Sequence, residues 1–148
     1  MIIGSVSEDK QIENRISITP ELAKKYISNG FEVHIEEGFG DHLKIYDNEF
    51  IEAGCKLNKR KNILNSADII LQLNFLDRES SEQLKENCII VGNFDSKKVN
   101  EKIEKLKIKQ TSIFSLGLLP RITRAQSMDI LSSQANLAGY KAVIDSFA

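Results

Sequence analysis

Short apolar runs recur along this chain, and a helical pattern separates each from the next. Ile2–Val6, Phe31–Ile35, Asp68–Leu73, Cys88–Val91 and Ile108–Ser112 read as strands. Between them fall a helix opened by Thr19-Pro20 and closed at Asn29-Gly30, a short helix Asn48–Ala53 stopped at Gly54, a helical turn Lys61–Asn65, and helices Glu79–Glu86 and Ser96–Leu106. Proline suits the first helical position because its missing N–H has no helical partner there anyway, and glycine suits the stop. Strands joined through helices pair in parallel, since a parallel pair needs a crossover connection. The pattern predicts an α/β fold: an open, mostly parallel sheet with helices on both faces, Rossmann-like or flavodoxin-like, ending in a long helix.

At 148 residues, with 41% hydrophobic and 28% charged side chains, the chain can bury one sizeable core. A net charge of −1 gives no electrostatic case for nucleic acid or an anionic membrane surface. The lysines of Lys97–Lys109 are interrupted by Glu101 and Glu104, which fits a solvated helix face followed by a strand. No apolar stretch approaches the ~20 residues that span a bilayer, so no direct membrane insertion is expected, and MIIGSVSEDK lacks the pattern of a signal peptide. Cys55 and Cys88 read as small buried or half-buried thiols of a reducing compartment, and no cysteine–histidine cluster suggests a metal.

Chemical groups are sparse. The first strand runs into Ser7-Glu8-Asp9-Lys10, not G-x-G-x-x-G, and no other strand–helix turn carries a glycine-rich phosphate loop. His34 alternates with Glu32 and Glu36, as on the wet face of a strand, and His42 sits in a loop with no evident partner. No Ser-His-Asp or Cys-His arrangement can be argued.

The tail holds more. Pro120 biases Leu119 away from helix, and Thr123 with Gln126 three residues on forms a capping box that would start a long helix at Arg124. Met128, Leu131, Ala135, Ala138 and Ala142 share one face, the spacing of a core-facing stripe. Gln126, Asp129, Ser132, Ser133, Asn136 and Tyr140 cluster on the flank beside it, either as an ordinary solvated flank or as the wall of a cleft.

Leu119–Val143, reading LPRITRAQSMDILSSQANLAGYKAV, closely resembles the proton-translocating NAD(P) transhydrogenase alpha subunit, where a PRISRAQ-type segment leads into an MDxLSSxANxAGYxAV helix. Glu13–Pro20 is similar to the E-x-R-V-A-x-T-P signature shared by alanine dehydrogenases and transhydrogenases, and Glu37-Gly38-Phe39-Gly40, Asp47 and Ala53-Gly54 to the family's ESGAG…D…AGA stretch. The resemblance implies hydride transfer between NADH and NADP⁺, coupled in the complete enzyme to proton translocation. It places Arg121 and Ser132 near the nicotinamide carboxamide of NAD(H). Gln126 falls toward the ribose of NADP(H) held by a partner domain, and Asp129 within the same cluster. Gln126 and Asp129 are the implied catalytic pair, and Gln126 can serve as cap residue as well.

Residues 1–120 are thus expected to form the N-terminal lobe and 121–148 the start of an interlobe helix, with the NAD-binding lobe absent. The expected partners are the membrane and NADP(H)-binding components and a second copy in a homodimer. The expected location is the cytoplasmic side of an inner-membrane complex. Two alternatives stand beside this. Alanine dehydrogenase is disfavoured because Gln72 and Asn74 stand where its lysines would be, and Val91-Gly92-Asn93-Phe94 offers no histidine. A split subunit serving only assembly is the other. Val6 and Ser17 depart from the family's proline and alanine, and Arg15 is expected to tie the first loop to the sheet.

Overall fold

The computed structural model describes residues 1–94, 106, 109–120 and 122–147. Six strands, β1 (Ile2–Ser5), β2 (Glu32–Glu36), β3 (Lys56–Asn58), β4 (Ile69–Gln72), β5 (Ile89–Gly92) and β6 (Ser112–Ser115), form one sheet in the order β3-β2-β1-β4-β5-β6. Every pairing is parallel, with Ile3 opposite both Val33 and Ile69, and Ile90 opposite both Ile70 and Ile113.

The helices follow the turn chemistry of the sequence. In α1 (Pro20–Ser28) the Thr19 hydroxyl accepts from the Leu22 N–H at 3.3 Å, and the chain leaves through Gly30 at φ +86°. The short α2 (Asp47–Glu52) is closed by Gly54 at φ +94°, and α3 (Arg60–Ser66) and α4 (Arg78–Glu82) precede β4 and β5.

Alternation along the strands divides the apolar side chains between two faces. On one, Ile3, Val33 and Ile35 pack with Ala23, Phe39, Phe50 and Ala53 beneath α1 and α2. On the other, Ile70 and Ile90 pack with Ile63, Leu64 and Ala67 of the α3 region and with Leu76, Leu84 and Phe94. The approach of α3 is set by Gly4, where a Cβ would fall 2.6 Å from Ile63 Cγ2. The predicted α/β architecture, with an open parallel sheet and helices on both faces, is therefore present. The two cysteines are buried free thiols, each pushed up to about 11 by desolvation.

Several elements differ from the expectation set by the sequence. Strand β3 is an addition; its Lys56-Leu57-Asn58 is a polar edge strand with one apolar residue. It also corrects His34, which pairs with Lys56 in register and is only 8% exposed, its Nε2 2.6 Å from Glu32 Oε1. His42 has a distant partner after all, with Nε2 2.8 Å from the carbonyl oxygen of Asn14. Helix α4 stops at Glu82 because the Lys85 N–H turns to the Leu64 carbonyl at 2.9 Å. The last strand lies at Ser112–Ser115, later than expected, because Gln110 turns the chain at φ +54° and Lys109 Nζ is bound to the Glu82 and Leu84 carbonyls. The expected helix Ser96–Leu106 falls outside the described residues except for Leu106, which is buried.

The long helix also starts later. Thr123–Met128 forms 3₁₀ turns without a side-chain cap, and α5 runs Ile130–Ser146 with Asp129 as its cap. A carboxylate is a stronger acceptor for free N–H groups than the Thr123 hydroxyl, so the capping box gives way to Asp129. The stripe Met128, Leu131, Ala135, Ala138 and Ala142 faces no core among the described residues, for α5 has no buried residue and Leu131 is 62% exposed.

Candidate functional site

In open α/β sheets, ligands bind at the carboxyl ends of the strands where the strand order reverses. Here that point lies between β1 and β4, and the chain itself fills it. The Gln72 side chain, 4% exposed, donates Nε2–H to the Val6 carbonyl at 2.9 Å and accepts from the Val6 N–H at 3.4 Å. A proline at position 6 could not make the second bond, so Val6 and Gln72 form a matched pair. The Ser5 and Ser17 hydroxyls lie 2.5 Å apart, and both reach the Leu71 carbonyl. The departures Val6 and Ser17 thus belong to one polar seam joining the ends of β1 and β4.

Beside this seam the Glu8 carboxylate accepts from the Leu73 N–H at 2.6 Å and from the Asn74 N–H at 3.2 Å. Desolvation pushes the Glu8 carboxyl above its usual range, against the lowering effect of those N–H groups. Glu36, at the end of β2, accepts from the Ser7 N–H at 2.6 Å and from Arg60 Nε at 3.2 Å, while Arg60 Nη2 donates to the Ser7 carbonyl at 2.6 Å. The first loop is held by Glu8, Glu36 and Arg60. Arg15, expected to do this, instead pairs with nearby Glu13 at 2.7 Å, which lowers the Glu13 carboxyl and raises the Arg15 guanidinium.

Two clefts flank the first turn of α5. One, about 430 Å³, is lined by Arg15, Ser17, Gln72, Asn93 and Gln134 among others. The second, about 410 Å³, gathers Gln126, Asp129 and Ser132 over a wall of Leu116, Pro120, Ile122 and Ala135. Leu116, Ile130 and Leu131 border both. The expected site residues Gln126, Asp129 and Ser132 are therefore brought together, and Arg121 lies outside the described residues.

Within the second cleft, Asp129 Oδ1 accepts from the N–H groups of Leu131 and Ser132 at 3.0 and 3.2 Å, and Ser132 Oγ donates to Asp129 Oδ2 at 2.6 Å. The carboxylate that caps the helix thus fixes the Ser132 hydroxyl. Gln126 sits in the 3₁₀ segment, exposed, with its carbonyl accepting from the Asp129 N–H at 3.2 Å. An amide, a hydroxyl and a carboxylate above apolar side chains suit a flat ring bearing a carboxamide. The switch point does not suit a pyrophosphate, because Glu8 already occupies its N–H groups. Among the described residues no group of three or more His, Cys, Asp or Glu could hold a metal ion, and no helix is long and apolar enough to cross a membrane.

The sheet order, the polar seam and the cleft at the head of a long terminal helix define an open, all-parallel α/β domain without a glycine-rich phosphate loop among the described residues. The profile of the family described as alanine dehydrogenase/PNT, N-terminal domain, matches residues 4–138, and the chain belongs to that family. It is 36% identical over 151 aligned residues to the first portion of the NAD(P) transhydrogenase alpha subunit of Rhodospirillum rubrum, covering 98% of this chain and 39% of that protein. The crystal structure of a transhydrogenase from Sinorhizobium meliloti superposes with a TM-score of 0.89 at 36% identity, over 98% of this chain and 43% of that one. An L-alanine dehydrogenase shares the fold, with a TM-score of 0.72 at 18% identity over 78% of this chain and 32% of that one. The chain spans about two fifths of the length of the curated transhydrogenase subunit it matches.

Proposed function

We propose that this chain is the N-terminal lobe of the NAD(H)-binding component of a proton-translocating NAD(P) transhydrogenase. Residues 1–120 would be the lobe proper and 121–148 the beginning of the interlobe helix. The observation that carries the reading is the convergence of Gln126, Asp129 and Ser132 on one cleft at the head of α5. The nicotinamide groups, when bound, supply the hydride chemistry. Such a transfer needs no protein acid or base; it needs the two rings held in register with water excluded. Ser132, oriented by Asp129, would hold the NAD(H) carboxamide together with Arg121. Gln126, one 3₁₀ turn away, would reach toward the NADP(H) ribose of the partner domain. Leu116, Pro120 and Ile122 would keep water from the faces of the rings.

In this reading the pyrophosphate is gripped by a separate lobe, and the membrane and NADP(H)-binding components are carried elsewhere. The chain works on the cytoplasmic side of the membrane, within a homodimer. Alanine dehydrogenase is not favoured, because Gln72 commits both ends of its amide to Val6 and the Asn74 side chain donates to Glu8 at 3.3 Å.

The test is to replace the matching segment of the Rhodospirillum rubrum subunit with this chain and measure hydride transfer from NADH to NADP⁺ in the reassembled enzyme. The chimera should transfer hydride, and Asp129→Ala within it should lower kcat by roughly 100-fold, the scale of a misplaced reacting group. A correctly folded chimera whose rate is indifferent to Asp129, Gln126 and Ser132 would sink the proposal.

A further inference from the structure

The crevice between β1 and β4 contains anion-binding groups whose anion is the chain's own. Leu73 and Asn74 present consecutive backbone N–H groups at the carboxyl end of β4, and Glu8 Oε1 lies 2.6 and 3.2 Å from their nitrogens. The Asn74 side chain adds a third donor, 3.3 Å from Oε2. Successive N–H groups converging on one point are the usual receptor for a small oxyanion. These sit where a sheet of this order takes a nucleotide phosphate. A cleft of about 450 Å³ adjoins them, with Ser7, Glu8, Asp9, Arg60, Asn74 and Asp77 in its lining.

We propose that Glu8 is a specificity-determining residue: an internal anion that occupies the Leu73–Asn74 N–H groups and bars phosphate groups from this lobe. The geometry explains why a Rossmann-ordered sheet can sit beside a dinucleotide without binding its pyrophosphate. Arg60 does not compensate, because its guanidinium is engaged by Glu36, Ser7 and Ser80. Removing Glu8 leaves the N–H donors facing the cleft and removes a charge that repels phosphate. Asp9 and Asp77 remain, so the uncovered site is weak but present.

The experiment titrates inorganic phosphate, with chloride at matched ionic strength as reference, into the 148-residue chain and its Glu8→Ala variant. Amide NMR signals of Leu73 and Asn74 are the readout, and those of Ile70 and Ile90 report an intact sheet. The expected result is no phosphate-specific change in the unaltered chain and a saturable shift of both amides in Glu8→Ala. If Glu8→Ala does not fold, Glu8→Gln carries the test, since a neutral amide competes less well for the same N–H groups; a saturable shift is expected there too. An unaltered chain that responds as the variants do, or a folded variant that does not respond, overturns the assignment. The readout uses no nicotinamide nucleotide, so it stands or falls apart from the proposed transhydrogenase role.

Discussion

Gln72 shows what one residue position can and cannot say. That it is not a lysine is visible in the sequence and argues against an amino-acid carboxylate. Its actual work is not visible there, because its partner, the Val6 backbone, lies across the sheet and distant in the chain. Gln72→Leu leaves the buried Val6 N–H and carbonyl unpaired and should cost about 1–3 kcal/mol in urea denaturation, the desolvation penalty of such groups. A variant as stable as the parent would refute the paired role. Asp68 carries a pH prediction. Lys85 first, and then the Ile2 N–H, hold its carboxyl below the usual range. A depressed folded value means the stability is present above the ordinary carboxylate range and is lost as pH falls through the lowered value. Asp68→Asn should therefore flatten the acid limb of the stability curve, measured as urea midpoint against pH, and leave its alkaline side unchanged in shape.

The elements bounded by strong turn chemistry are legible in the sequence: α1 between Thr19-Pro20 and Gly30, and β4 and β5 from their apolar runs. Those that escape are set by distant contacts. β3 is a polar edge strand recognisable only beside β2, and His34 is buried because β3 covers it. At the head of α5, the capping box read at Thr123 gives way to Asp129, the stronger acceptor. Asp129→Ala should remove the cap and cost on the order of 1 kcal/mol, read as faster hydrogen exchange at Leu131 and Ser132. Gly92 shows the tolerance of the sheet end: a Cβ there would fall 2.1 Å from the Gln72 carbonyl oxygen and 2.4 Å from Phe94 Cζ. Gly92→Ala should destabilise by at least ~1–3 kcal/mol in the same denaturation assay, the usual cost of overpacking. Among the described α-helices the long one is the least anchored. With no residue buried along Ile130–Ser146, its amides beyond position 135 should exchange freely in dilute solution, and strong protection there would contradict that view.

At the scale of the molecule, the α/β class and the missing phosphate loop are both readable from the strand–helix alternation and from Ser7-Glu8-Asp9-Lys10. The site is legible only through the motif Leu119–Val143, since no pattern of polar residues on a helix distinguishes a cleft wall from a solvated flank. The structure adds that Gln126, Asp129 and Ser132 share one cleft, and that the switch point of the sheet is closed by Glu8 and Gln72. In the proposed role a dinucleotide would be divided in two: this chain would face the nicotinamide, while the Leu73 and Asn74 N–H groups at its switch point are taken by Glu8. Fluorescence titration of the 148-residue chain with NADH tests that division most directly. No saturation is expected below ~1 mM, because a ring and a carboxamide alone supply too little binding energy. Saturable binding in the micromolar range would contradict it.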